Sequence, residues 1–216
     1  MKPAYLFDLD GVIVDSMPLH TAAWRAYLKG LGLACDGIEV RMHGKRNDEI
    51  VADFISADLS PDTVFAHGAA KEQLFRDMMG ADIKSNLVPG VVDFLASLDG
   101  APIGLASNAE PANVDFILDE AGIRGRFQVI VDGHQVARPK PYPDVYLRAA
   151  DLLNVPPQRC IVFEDSPTGV AAGKAAGAML VGVQTHPTDL DGVDLLIRDF
   201  RDPALKDWLK SVERAI

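Results

Sequence analysis

Short, β-rich apolar runs recur along the chain at residues 5–7, 103–106, 129–131, 161–163, 180–183 and 195–197. Runs of this length, bounded by turn residues, read as strands buried on both faces. Between most of them the apolar period becomes helical. Val92, Leu95 and Leu98, with Phe94 alongside, follow Pro89; Val114, Ile117, Leu118 and Ala121 end at Gly122; Val145, Tyr146, Ala149, Leu152 and Leu153 follow Pro143. Proline at the entry of a helix and glycine at its exit are the usual punctuation. Strand and helix in alternation predict an α/β protein with a parallel sheet and helices on both faces.

Residues 15–85 interrupt that rhythm. Trp24, Tyr27, Leu28 and Leu31 share one helical face, Ile50, Val51, Phe54 and Ile55 another, and Leu74, Phe75 and Met78 a third, with no strand between them. The expected organisation is a sheet-bearing core of residues 1–14 and 86–216, carrying a helical insert of residues 15–85 directly after the first strand. Two short connections would join the insert to the sheet, so it is placed to close over the strand ends as a lid. The segment from Asp199 to Pro203 and the helix after it read as a terminal brace.

Composition narrows the class. A chain of 216 residues, 48% hydrophobic, can bury a proper core. It shows no basic segment leading into an apolar signal core, and no stretch near the ~20 apolar residues of a membrane span, so a soluble cytoplasmic protein is expected. Cys35 and Cys160 are far apart, and Cys160 opens an apolar run, which reads as a buried free thiol in a reducing compartment. The formal net charge of −10 argues against nucleic-acid and anionic-membrane partners, both of which need a positive field. If the partner is a phosphorylated metabolite, positive charge must be gathered locally, by particular cationic side chains or by a divalent ion.

Four segments carry candidate chemistry, and all lie at predicted strand ends, the edge at which open α/β sheets bind ligands. The first is Phe7-Asp8-Leu9-Asp10-Gly11. Side chains repeat with period two in extended backbone, so both acids can face one cavity, and Gly11 permits the turn that follows. Two crowded carboxylates imply a metal or a proton-transfer role; a solvated strand end with ordinary Asp turn chemistry is the plainer alternative. Ser107 and Asn108 end the second run beside a helix start and suit a phosphate oxygen, or simply cap the helix. Lys140 stands between Pro139 and Pro141, projected from a stiff loop as an anionic transition state requires, unless the segment is only a proline-rich turn. Glu164 and Asp165 precede Ser166 and Pro167: Asp165 facing Asp8 would build part of an oxygen shell for a hard cation such as Mg²⁺, or else the segment is a helix cap.

In this order and at these strand ends, the four segments resemble the motifs of the haloacid dehalogenase superfamily, across nearly the whole chain. The insert, with Gly44-Lys45-Arg46-Asn47, resembles the cap of the branch that holds β-phosphoglucomutase and many sugar-phosphate phosphatases. The resemblance implies a Rossmann-like core with a helical cap, and it selects the functional reading of each segment. By that resemblance Asp8 is the nucleophile that becomes an aspartyl phosphate, and Asp10 is the acid/base. Mg²⁺ is held by Asp8, Asp165 and the Asp10 main-chain carbonyl, with Glu164 bound to it directly or tuning it through a neighbouring ligand. Ser107 and Lys140, helped by Asn108, hold the phosphoryl oxygens.

Water or a sugar hydroxyl can discharge such an intermediate. In β-phosphoglucomutases the serine is followed by Ala-Ser-Lys-Asn, whose last three residues grip a distal phosphate together with a cap arginine. Here the run is Asn108-Ala109-Glu110-Pro111. Glu110 turns an attraction into a repulsion, and Ala109 and Pro111 remove side-chain donors. Arg46 matches the cap arginine, and His20 with Trp24 resembles a mutase segment. A Mg²⁺-dependent phosphatase for small sugar-type phosphomonoesters is expected, with a phosphosugar mutase as the alternative. A dehalogenase would need neither the metal nor Asp10, and a non-turnover phosphoacceptor would need no lid. Arg46 is expected to read the polar end of the substrate. His20 is expected as a structural hydrogen-bonder, and Lys71 is either a substrate contact or part of a solvated helix face.

Overall fold

The computed structural model describes residues 2–42, 45–98 and 100–215. The chain divides into two compact units, Met1–Asp15 with Ile83–Ile216, and Ser16–Asp82. Among the described residues no helix is long and apolar enough to cross a membrane.

In the larger unit a six-stranded sheet is built from β1 (Ala4–Phe7), β2 (Ile103–Ala106), β3 (Val129–Val131), β4 (Cys160–Glu164), β5 (Met179–Val183) and β6 (Leu195–Ile197), in the order β3-β2-β1-β4-β5-β6. Every pairing is parallel. The α/β class and the strand positions read from the sequence are those observed. Because β1 pairs with β2 on one side and β4 on the other, the strand order reverses at β1, and the loops leaving β1 and its neighbours diverge into a crevice.

Alternation along β1 divides the core into two layers. Tyr5 and Phe7 face an aromatic cluster in which Phe7 stacks on Phe163 at 4.6 Å, with Phe94 and Phe200 packed around them. Ala4 and Leu6 face the opposite layer with Cys160, Val162, Val145, Tyr146 and Ala149. Each large side chain buried here contributes about 1.5–3 kcal/mol. The period-two rule then directs the next residue on this second face: Asp8 follows Leu6, and Glu164 follows Val162.

The helices of this unit are α5 (Val91–Ser97), α6 (Pro111–Glu120), α7 (Asp144–Leu152), α8 (Pro167–Ala176) and the terminal α9 (Pro203–Ala215), numbered after four in the insert. Two apolar positions differ from the expected faces. In α5 Val91 is buried in place of Val92, and Leu152, the last residue of α7, is half exposed. Both lie in a terminal turn, where the stripe reaches the end of the contact with the sheet. Cys35 and Cys160 are free thiols, and burial raises the Cys160 thiol to about 11, out of the reactive range.

The smaller unit contains α1 (Met17–Gly30), α2 (Ile38–Arg41), α3 (Asn47–Phe54) and α4 (Pro61–Met79). Its core joins Trp24, Leu28, Ile38, Met42, Ile50 and Val51. In α4 the buried face runs through Lys71, Glu72, Phe75 and Met79, whereas Met78 is exposed.

Candidate active site

Asp8 leaves the C-terminal end of β1, its N–H donating to the Phe163 carbonyl of β4 at 3.1 Å. That pairing sets Asp8 beside Glu164. Lys140, on the loop between β3 and α7, lies with its Nζ 2.9 Å from Asp8 Oδ1 and donates to Glu164 Oε1 at 2.6 Å. Asp8, Lys140 and Glu164 are all buried. The Lys140–Pro141 peptide is cis, and the Lys140 N–H donates to Asn108 Oδ1 at 3.1 Å. Asn108 therefore holds the lysine loop with its carbonyl oxygen. Ser107, at the end of β2, is buried, and its Oγ accepts from the Ala109 N–H at 3.2 Å.

Glu164 is the most heavily engaged group of the site. Oε1 accepts from Lys140 and from the Tyr146 hydroxyl at 2.5 Å; Oε2 accepts from the N–H groups of Asp165 and Ser166 and from Ser166 Oγ, at 3.1, 3.3 and 3.1 Å. A carboxylate has about four lone-pair positions, so this one is saturated by protein donors. Its carboxylate also fills the space that a side chain on Gly169 would need. Gly169→Ala is expected to destabilise the protein by about 1–3 kcal/mol in urea unfolding, whereas alanine at Gly125, which faces open space, serves as the neutral control.

The electrostatics follow from burial. Burial raises the Asp8 carboxyl from 3.8 to about 7, against the pull of Lys140 and with help from the Glu164 and Asp10 charges. Asp165 is raised well above the carboxylate range by burial, then by Glu164, Asp8 and Asp10. Burial works against the Lys140 ammonium, but Asp8 and Glu164 outweigh it and hold its pKa above the ordinary value. Tyr146 is kept protonated by burial and by the neighbouring carboxylates, and so serves as a donor.

Asp8, Glu164 and Asp165 each offer an oxygen, all within 4.8 Å of one another. Asp8 Oδ1 is buried and makes no well-aligned hydrogen bond among the described residues, although Lys140 lies at ion-pair distance. Raised carboxyls with an unsatisfied oxygen between them are what a cation site looks like before the cation neutralises it. An all-oxygen donor set fits a hard divalent ion such as Mg²⁺. Since Glu164 is saturated, Asp8 and Asp165 are the side chains left to hold it.

The remaining predicted residues lie as follows. Asp10 is partly exposed in the turn after Asp8, close enough to perturb Asp8 and Asp165. Glu110 is the residue before α6, 2.8 Å from His134 Nε2, so the carboxylate already has a partner. In the insert, Arg46 is exposed and 3.6 Å from Asp48; Gly44 of the same motif lies outside the described residues. His20 stacks on Phe75 with ring centres 3.8 Å apart, and its Nδ1 lies 2.8 Å from Lys71 Nζ. Since an ammonium only donates, Nδ1 is the acceptor in that contact. Lys71 is not on a solvated face: it is buried, 2.8 Å from Glu72 Oε1, and Asn47 donates to the same oxygen at 2.7 Å.

Two participants escaped the sequence reading. Tyr146 reads as an apolar position of α7, and nothing local announces that its hydroxyl ends on Glu164. His134 pairs with Glu110 across two loops. For His134 the available signal is its position just beyond the end of β3 (Val129–Val131), at the edge that carries the acids.

An open parallel sheet whose switch point gathers acids around a buried lysine defines an α/β enzyme. Residues 2–177 match the haloacid dehalogenase-like hydrolases, and the chain belongs to that family. Over 213 residues it is 32% identical to the β-phosphoglucomutase of Bacillus subtilis (strain 168), covering 94% of this chain and 92% of that protein. It is likewise 32% identical to hexitol phosphatase A of Escherichia coli (strain K12), covering 89% of each. The crystal structure of CbbY from Rhodobacter sphaeroides with xylulose-(1,5)bisphosphate superposes with a TM-score of 0.81 at 29% identity, covering 94% of this chain and 96% of that one.

Proposed function

We propose that the chain is a Mg²⁺-dependent phosphatase that hydrolyses small sugar-type phosphomonoesters through an aspartyl phosphate on Asp8. The observation that carries it is the buried contact of Asp8 with Lys140, beside Asp165 and the saturated Glu164. An Asp8 oxygen attacks phosphorus, and the ester P–O bond breaks. Asp10 gives its proton to the departing alkoxide, then accepts one from water as that water attacks the phosphorus and frees Asp8. Lys140, fixed by Glu164 and by the Asn108 tether on its backbone, offsets charge on the phosphoryl oxygens without having to reorganise. Ser107, buried at the end of β2, would donate its hydroxyl proton to the same group. When bound between Asp8, Asp165 and the Asp10 main-chain carbonyl, the metal would neutralise the acids and orient the displacement.

Glu110 favours water over a sugar acceptor. A mutase must hold a second phosphate as firmly as the first, and here a carboxylate stands three residues after Ser107 with His134 as its partner. The relatives include enzymes of both kinds, so the acceptor has to be measured. A panel of hexose, pentose and aryl phosphates with Mg²⁺ is expected to release inorganic phosphate. Conversion of β-glucose 1-phosphate to glucose 6-phosphate that outpaces phosphate release would establish the mutase instead. A chelator is expected to suppress turnover by about a hundredfold or more, and Mg²⁺ to restore it.

A further inference from the structure

The loop after β5 reaches back to the turn that carries Asp10. Thr185 Oγ1 donates to the Gly11 carbonyl at 3.0 Å. One residue on, His186 Nε2 lies at ion-pair distance from Asp15 Oδ1, 3.0 Å; both atoms are buried, and neither makes a well-aligned hydrogen bond among the described residues. The turn is otherwise closed on itself, with the Gly11 N–H donating to the Val14 carbonyl at 2.7 Å and the Ile13 and Val14 N–H groups to the Leu9 carbonyl at 2.8 and 3.1 Å. Its exit is tied by the Asp15 N–H to the Asn86 carbonyl at 2.8 Å.

We propose that Thr185 and His186 are positioning residues for Asp10. They grip the turn at the residue directly after Asp10 and again where it ends. A main-chain carbonyl bonded to a side chain from another strand's loop fixes a peptide plane: the Thr185 bond fixes the Gly11–Val12 plane, and the Gly11 N–H bond to Val14 fixes the Asp10–Gly11 plane directly before it. An acid/base must stay within about half an ångström of its working position through two opposite proton transfers. The turn's internal bonds set its shape, and the Thr185 and His186 ties set where that shape sits against the sheet. Neither residue touches the reacting atoms in this scheme.

The inference rests on reading Asp10 as the acid/base, and leaving-group dependence tests both. A p-nitrophenolate leaves without needing a proton, whereas a sugar alkoxide needs one. Thr185→Val is expected to lower kcat for a sugar phosphate by roughly tenfold to a hundredfold, with a much smaller loss on p-nitrophenyl phosphate and little change in KM. Thr185→Ser, which keeps the hydroxyl, should restore the sugar-phosphate rate, and His186→Ala should show the same selectivity more weakly. Thr185→Ala serves in the same comparison if the valine variant does not fold. Equal losses on both substrates, or a loss that serine does not rescue, would overturn the inference. Asp10→Asn is the reference: selectivity there but not in the Thr185 variants defeats this inference alone, and its absence in Asp10→Asn defeats the acid/base reading and the inference together.

Discussion

Asp8→Asn is expected to abolish phosphate release, by about 10⁴-fold or more, while making the metal-free protein less sensitive to rising pH. The first effect follows from replacing an oxygen nucleophile by an amide of the same shape. The second follows from burial, which raises this carboxyl from 3.8 to about 7. Where the folded value exceeds the unfolded one, the native state keeps a proton that the unfolded chain has released. Stability of the metal-free enzyme therefore falls as pH rises from about 4, and the loss is complete above about 7. Asparagine cannot ionise, so the variant escapes a penalty on the order of a few kcal/mol at high pH. Thermal unfolding in a chelator at about pH 5 and about pH 8 measures it. An Asp8→Asn midpoint that drops as far as that of the parent would reject this account of the site. Asp165, raised for the same reason, leaves a residual slope in the variant.

Lys140→Met should have the second-largest effect, acting on stability and turnover together. The ammonium is the cation on which the Asp8 and Glu164 carboxylates both lean, at 2.9 and 2.6 Å. Removing one partner of a buried charge pair costs about 3–5 kcal/mol, because the desolvated charge left behind has nothing to balance it. In a protein of this size that is a fall in Tm of about 10 °C. The loss should be largest near neutral pH and shrink in acid as the Asp8 carboxyl takes up its proton. Turnover should drop by about 10²–10³, the usual cost of losing a preorganised charge at a developing anion. If differential scanning calorimetry gave the variant the parent's Tm at neutral pH, the buried Asp8–Lys140–Glu164 triad would not depend on the lysine for its balance of charge.

The legible part of this molecule was whatever local periodicity determines. Apolar runs located the strands, and the position of Asp8, Ser107, Lys140 and Asp165 just beyond them implied one shared edge, which the strand order confirms for the fold. Two kinds of information were invisible. One is the far end of a long polar side chain: Tyr146 and Glu164 are distant in sequence, and only the packing of α7 on the sheet brings hydroxyl to carboxylate. The other is polar groups buried on apolar faces. Lys71 and Glu72 break the helical stripe of α4, and a stripe-based reading sends such residues to solvent, whereas their contacts with each other, His20 and Asn47 keep them inside. The same idealised stripe selects Met78, whereas Met79 is the buried residue.

Gly11 adopts φ +73°, and a Cβ there would overlap the Asp165 carboxylate. The absent side chain at one end of the chain is thus the volume into which an acid from the other end is inserted. In combinatorial libraries, positions 11 and 165 should behave as a single locus. A larger residue at 11 is strained by the positive φ and needs in addition a shorter one at 165, and that exchange removes the carboxylate, so no compensating route retains both fold and chemistry.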